Sequence, residues 1–316
     1  MLTLAAIEEA RELLSRFMQP TPQYVWPLLD AQLDCRVVVK HENHAPTGSF
    51  KVRGAIAYIH EQALHQPRGA RFVTATTGNH GLGLAFACQK FGYTAAAVMP
   101  VGAALGKTSN LQAMGCFVVE HGHSYLEAEA YSQGLAQEQG FVHVPSFHHA
   151  FVCGAATYVM ELIAAHQELD ALFLPIGMGA GICGALAVRD ALALDLKIIG
   201  VAHKSSSLSQ GEGAGACRTF ADGMACSQPS GAALAQIRAG CDALVFVDDD
   251  EIAEAIRVLY RCCHNLAEGA GAAALAGVMQ TKASWRGKQV GIPLCGQNID
   301  RVQMRTVLSG ATPSPQ

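Results

Sequence analysis

The sequence predicts an α/β protein of two domains, with parallel-rich twisted sheets flanked by helices. Short apolar runs alternate along the chain with stretches of about ten residues at helical spacing, the pattern of right-handed βαβ crossovers. Loops rich in glycine and hydroxyls follow several of those runs directly, at the edge where open α/β sheets bind ligands. The third observation is bulk. With 316 residues, 50% hydrophobic and 15% charged, the chain can bury more than one core.

Taken in order, Ala6, Ile7, Ala10, Leu13, Leu14 and Phe17 share one face of a helix over residues 3–18, and Pro20-Thr21-Pro22 ends it. Val37-Val38-Val39 reads as a short buried strand running to Lys40. Ala55, Ile56, Ile59 and Ala63 mark the next helix, so Lys51 stands at a strand–loop–helix junction. Strands expected at 71–75, 95–99, 116–120 and 141–144 alternate with helices at 81–91, 107–114 and 125–139. Pro145–Ala150 reads as a boundary. A helix over 153–167 leads to a strand at 171–176, and further units run through 197–201, 244–247, 251–263 and 290–294. Residues 205–215, rich in Ser and Gly, are expected to form a mobile loop, and the tail 311–316, with its prolines, to fray. The elements divide into a discontinuous large domain, 1–67 and 147–316, and a small domain, 68–146, expected to close over a substrate.

Composition narrows the function classes. A net charge of −4 and a pI near 6.3, with no basic run, argue against nucleic acid and anionic membrane as partners. No apolar run is long enough to span a bilayer, and the N-terminus lacks the basic start of a signal peptide. The eleven cysteines form no Cys-x-x-Cys unit, and Cys262-Cys263-His264 is too tightly spaced for a tetrahedral zinc site. Free thiols in a reducing, cytoplasmic compartment are expected. His41, His44, His121, His123, His143, His148 and His149 come in groups but without paired thiols or carboxylates, and no metal is assigned. There is no Gly-x-Ser-x-Gly nucleophile elbow.

Four loops are placed to carry chemistry. At Lys51, a helix N-terminus disfavours a cation and apolar neighbours depress its pKa; both favour a neutral amine of the imine-forming kind. Thr76-Thr77-Gly78-Asn79-His80-Gly81 offers donors at a helix start to an anion such as a carboxylate. Gly177-Met178-Gly179-Ala180-Gly181-Ile182-Cys183-Gly184 lets backbone amides close around a phosphate. Which phosphate stays open, because Gly179, Gly181 and Gly184 also satisfy G-x-G-x-x-G. That nicotinamide reading wants an acid about twenty residues on. Val201-Ala202-His203-Lys204 stands there instead, with Lys204 able to meet a ribose phosphate. Cys295-Gly296-Gln297-Asn298-Ile299-Asp300 follows the last strand, where Cys295 by itself reads as a small buried hydrophobe. Glu268 opens a helix of small residues and is read as its cap.

In this order the loops resemble those of the fold-type II pyridoxal-phosphate enzymes, tryptophan synthase β-like in fold, and above all the serine/threonine dehydratases and serine racemases. The likeness extends from about Thr21 to Asp300. Its motifs are Lys40-His41-Glu42-Asn43, Gly48 to Ala55, Gly78-Asn79-His80, the glycine loop, Ala221-Asp222-Gly223, Glu268 with Gly271 to Ala276, and Gly296 with Asn298 to Asp300. The resemblance implies pyridoxal 5′-phosphate as cofactor, bonded to Lys51. Phe50 then lies beside the ring, Asn79 at the phenolic oxygen, and Gly177, Met178, Gly179, Ala180 and Gly181 around the phosphate. Cys295 takes the position facing the pyridine nitrogen, where most relatives carry Ser or Thr. A thiol is a poor acid there, which suits β-elimination better than transamination. Ser49, Thr76, Thr77, Gly78, Asn79 and His80 are implied as substrate-binding residues. Lys51 and Thr77 are implied as catalytic, Lys51 taking the α-proton and Thr77 standing where serine racemases reprotonate the far face.

The implied activity is dehydration and deamination of a β-hydroxy-α-amino acid to a 2-oxo acid and ammonia by a homodimer. L-threonine or L-serine is the default substrate; 3-hydroxyaspartate, phenylserine and racemase activity are alternatives, and an NAD(P)-dependent dehydrogenase is the rival from another class. The chain departs from the family at Ser146-Phe147-His148-His149, where an Asp pair is common, at Gly154-Ala155-Ala156-Thr157 and at Gly200-Val201-Ala202. If His148 or His149 faces the pocket, it receives a carboxylate or aryl β-substituent. The sequence ends soon after the catalytic portion, so feedback inhibition by isoleucine is not expected.

Overall fold

The computed structural model describes residues 2–315 except 103–104, 212–216 and 227–228. Its strands are β1 (Gln23–Val25), β2 (Arg36–Lys40), β3 (Arg71–Ala75), β4 (Thr94–Met99), β5 (Phe117–Glu120), β6 (Val142–His143), β7 (Ala171–Pro175), β8 (Lys197–His203), β9 (Ala243–Val247) and β10 (Gln289–Pro293). The helices are α1 (Leu4–Ser15), α2 (Pro27–Leu33), α3 (Lys51–Gln62), α4 (Asn79–Phe91), α5 (Leu105–Ala113), α6 (Tyr125–Gln139) and α7 (His149–Ala165). They continue with α8 (Ala180–Ala191), α9 (Ser207–Gln210), α10 (Gly231–Gly240), α11 (Asp249–Cys263), α12 (Gly269–Gln280) and α13 (Arg301–Leu308).

Two sheets result. One has the order β1-β2-β10-β7-β8-β9, the other β5-β4-β3-β6. All pairings are parallel except β1 with β2. The parallel-rich α/β class is therefore as expected. The strands of the smaller sheet all come from one continuous stretch, whereas β2 and β10 are neighbours although they lie at opposite ends of the chain. β1 and α2 escaped the periodicity reading because they are only 3 and 7 residues long.

Two expectations are corrected. Within 205–215, residues Ser207–Gln210 form α9, while 212–216 lie outside the described residues. The tail does not fray through Thr312 and Pro313: Arg257 Nη1 donates to the Ala311 carbonyl at 3.3 Å, Thr312 Oγ1 bonds Asp250, and Pro313 is buried.

A buried ionic lattice fixes α3 against β2 and α7. Arg53 donates twice to Glu42, from Nε at 2.8 Å and Nη2 at 2.9 Å, and reaches Glu161 from Nη1 at 2.7 Å. Lys40 Nζ completes it, donating to Glu161 at 2.6 Å and to the Thr21 carbonyl at 2.7 Å. Two cations face two carboxylates, with Thr21 and Thr157 hydroxyls filling the remaining sites. These charges explain why Lys40 and Arg53 sit in otherwise apolar stretches.

Candidate active site

The site forms where β2, β10 and β7, adjacent in the larger sheet, end at a common edge. The loop after β2 is stitched to the loop after β10. Phe50 N–H donates to the Cys295 carbonyl at 3.0 Å, Gln297 N–H to the Gly48 carbonyl at 2.9 Å, and Ser49 bridges Gly296. Lys51 is thereby delivered as the first residue of α3, with Phe50 at the N-cap. The helix is held closely on two sides. A Cβ on Gly83 would lie 3.0 Å from the Lys51 carbonyl oxygen, and one on Gly154 2.4 Å from that of Arg53.

Lys51 lines a cavity with Phe50, Gly54, His80, Ser146, Phe151 and Ala180. Burial holds its amine below the ordinary lysine value, against the opposing influence of Cys295, Cys226 and Glu268. His80 is pushed down to about 3, by burial first and Lys51 second, and stays neutral. His80 Nε2 and Ser49 Oγ are buried without a hydrogen-bond partner. Buried polar atoms are seldom left so, and two of them beside one lysine mark a place where a polar ligand binds.

The Thr76–Gly81 loop enters from the smaller sheet. Thr76 Oγ1 accepts from Gly78 and Gly81 N–H at 2.9 and 3.1 Å, so its hydroxyl shapes the loop. Gly78 has φ +150°, and a Cβ there would meet Lys107 Cδ at 2.4 Å. Thr77 is half-buried. Asn79 is held at both ends of its amide: Nδ2 donates to Glu268 Oε1 at 2.5 Å, and Oδ1 accepts from Asn298 Nδ2 at 2.7 Å. One Nδ2 hydrogen is left for a ligand oxygen.

Glu268 corrects the sequence reading. It occupies the N-cap position of α12, but its side chain makes no capping bond and turns inward to Asn79. Burial raises its carboxyl pKa, with Lys107, Asn79 and Lys51 opposing. Lys107, from the smaller sheet's side, pairs with Asp222 on the other; burial disfavours its charge, but Asp222 outweighs it and raises the pKa. Lys107 had no local signal as a site residue; Glu268, Asp222 and Asn298 stood out only as motif members.

The glycine loop follows β7. Gly179 caps α8 with φ +99°, and a Cβ on Gly177 would lie 2.2 Å from the Gly223 carbonyl oxygen. A Cβ on Gly181 would approach the Tyr158 hydroxyl at 3.2 Å. Bare backbone therefore surrounds the first turn of α8, whose N–H groups have no partner within the helix. Ala180 lines the Lys51 cavity, and Met178 Sδ lies 3.0 Å from Cys226 Sγ. Cys295 is buried, and burial, then Glu42 and Glu268, push its thiol up, so it remains a neutral thiol.

His148 and His149 are not among the cavity-lining residues. His149 Nε2 lies 2.9 Å from Glu61 Oε2, while His148 caps α7 and packs edge-on to Tyr58. Glu61 is the partner the structure gives the pair. Lys204 pairs at the surface with Asp248 at 2.6 Å and Glu251 at 3.0 Å.

A family model described as pyridoxal-phosphate dependent enzyme matches residues 14–296. The L-threonine ammonia-lyase of Thermotoga maritima is 32% identical over 311 residues, covering 95% of this chain and 76% of that protein. The L-threo-3-hydroxyaspartate ammonia-lyase of a Pseudomonas species is 30% identical, covering 96% of this chain and 97% of that one. Among solved structures, a pyridoxal 5′-phosphate-dependent aspartate racemase superposes with a TM-score of 0.89 at 27% identity, covering 95% and 96% of the two chains. The chain spans 58% of the length of bacterial biosynthetic L-threonine dehydratases that it matches.

Proposed function

This chain belongs to the pyridoxal-phosphate dependent enzyme family, and we propose that it is an ammonia-lyase converting a β-hydroxy-α-amino acid to a 2-oxo acid and ammonia. L-threonine and L-serine are the proposed substrates. The observation that carries the reading is Lys51, a buried amine with lowered pKa, opposite a glycine cradle at a helix start. The residues present fit the cofactor: Ser49 Oγ and His80 Nε2 are buried without a hydrogen-bond partner, and the first-turn N–H groups of α8, entered through left-handed Gly179, are free of partners within the helix.

When bound, pyridoxal phosphate supplies the electron sink that makes the substrate Cα–H acidic. Lys51 Nζ, its pKa lowered by burial, would accept the α-proton. The Thr77, Asn79 and His80 N–H groups would hold the substrate carboxylate, and Asn79, braced by Glu268 and Asn298, would hold the phenolic oxygen. Cys295, a neutral thiol, gives the pyridine nitrogen no carboxylate partner, which favours elimination over transamination. Thr77 is the hydroxyl available for reprotonation of the opposite face.

The 68–146 segment is proposed to close over the substrate, and the enzyme to work as a cytoplasmic homodimer. Among the described residues no helix is long and apolar enough to cross a membrane.

The test is 2-oxo acid release from both enantiomers of serine and threonine and from 3-hydroxyaspartate and phenylserine stereoisomers. Borohydride reduction with peptide mapping accompanies it. Turnover of L-threonine or L-serine with the adduct on Lys51 is expected. An adduct elsewhere, or no release from any member of the panel, defeats the reading. Light scattering tests the dimer.

A further inference from the structure

We propose that Glu61, His148 and His149 form a binding site for a zinc-class divalent ion on the outer face where α3 ends and α7 begins. One potential ligand atom from each of the three residues lies within 4.8 Å of the others. His149 Nε2 is 2.9 Å from Glu61 Oε2, and His148 Nε2 is 4.0 Å from Glu61 Oε1. A tetrahedral ion bound at about 2.0–2.1 Å spaces its ligands about 3.3 Å apart. The two observed separations, which run to different oxygens of one carboxylate, bracket that value, so side-chain adjustment within the cluster closes the site.

The chemistry of the donors selects the ion. Two imidazoles and one carboxylate suit zinc and its transition-metal neighbours, whereas calcium and magnesium favour oxygen-only sets. Water takes the fourth position. Part of the geometry is set in advance. The His148 ring stands edge-on to Tyr58 at 5.0 Å and lies 4.2 Å from the His149 ring. Glu61 and His148 are partly buried, and His149 is 65% exposed, which leaves an entry path. Binding at Nε2 moves the His148 proton to Nδ1, where it displaces the long 3.3 Å capping bond from Ala150 N–H. An occupied site ties the end of α3 to the start of α7. None of its three ligands lines the Lys51 cavity.

The experiment is equilibrium dialysis of the holoenzyme against zinc chloride alone, with metal counted per chain. Wild type is expected to bind one ion that excess magnesium or calcium does not displace. Removing even an outer-shell partner costs about 10–100-fold in metal affinity, so His149→Ala and Glu61→Gln are each expected to lose at least about tenfold. Cys153→Ser, one helical turn beyond His149, is expected to bind as wild type does. The cofactor absorbance, unchanged in all three variants, shows that they fold. Zinc binding that survives both ligand variants, that disappears in Cys153→Ser, or that wild type never shows overturns the proposal.

Discussion

Replacing Arg53 by Met tests the ionic lattice behind Lys51. Arg53 and Glu42 are 1% and 0% exposed, and Arg53 also reaches Glu161, Thr157 and Thr21. Met keeps much of the volume but leaves Glu42 buried without its cation, while Lys40 still serves Glu161. Breaking a buried pair from one side costs about 3–5 kcal/mol, because the remaining charge is neither solvated nor compensated. With about 2.1 cal/mol/K of unfolding entropy per residue, a chain of 316 residues then melts about 5–8 °C lower. The assay is thermal unfolding of the holoenzyme by circular dichroism at fixed cofactor concentration. The companion variant, Arg53→Met with Glu42→Gln, removes both members of the pair and leaves Lys40 with Glu161. It should melt above the single variant. A single variant within about 2 °C of wild type, or a double variant as low as the sum of the two singles, would refute the argument that uncompensated charge is the cost.

Three further outcomes are expected. Gly177→Ala places a Cβ 2.2 Å from the Gly223 carbonyl oxygen and should weaken cofactor retention at least about tenfold, or about 1.4 kcal/mol, as read by dialysis and residual absorbance. His203, 3.4 Å from Asp249, is raised from 6.5 to about 9; burial lowers it, and the bonds to Asp249 and Cys217 outweigh burial. Its contribution is fully present below pH 6.5 and lost as pH rises through about 9, so melting curves of His203→Gln should lose that decline. Glu268→Gln keeps an acceptor for Asn79 but removes a carboxyl of raised pKa. It should melt within about 1 °C of wild type, yet lose about tenfold or more in kcat/KM together with the acid limb of the pH profile.

Much of this protein was legible before folding was considered. Strands and helices came from periodicity, which is a local property, and most boundaries held within a few residues. Lys51 was identifiable because a lysine opening a helix among apolar neighbours is chemically unusual, and burial proved to be the leading cause of its lowered pKa. The glycine loop was identifiable for the same local reason. What the sequence left open is what depends on which strands become neighbours. β2 and β10 pair only in the folded sheet, and that pairing brings the Cys295 loop against the Lys51 loop. Glu268 reads locally as a helix cap; its inward turn exists because Asn79 arrives from the other sheet. Asp222 finds Lys107 in the same way. The histidine pair, ambiguous in sequence, meets Glu61 one helix over. Local physics determined the parts and their chemistry, and long-range packing decided which charges and amides meet, because burial and partner distance are properties of the whole fold.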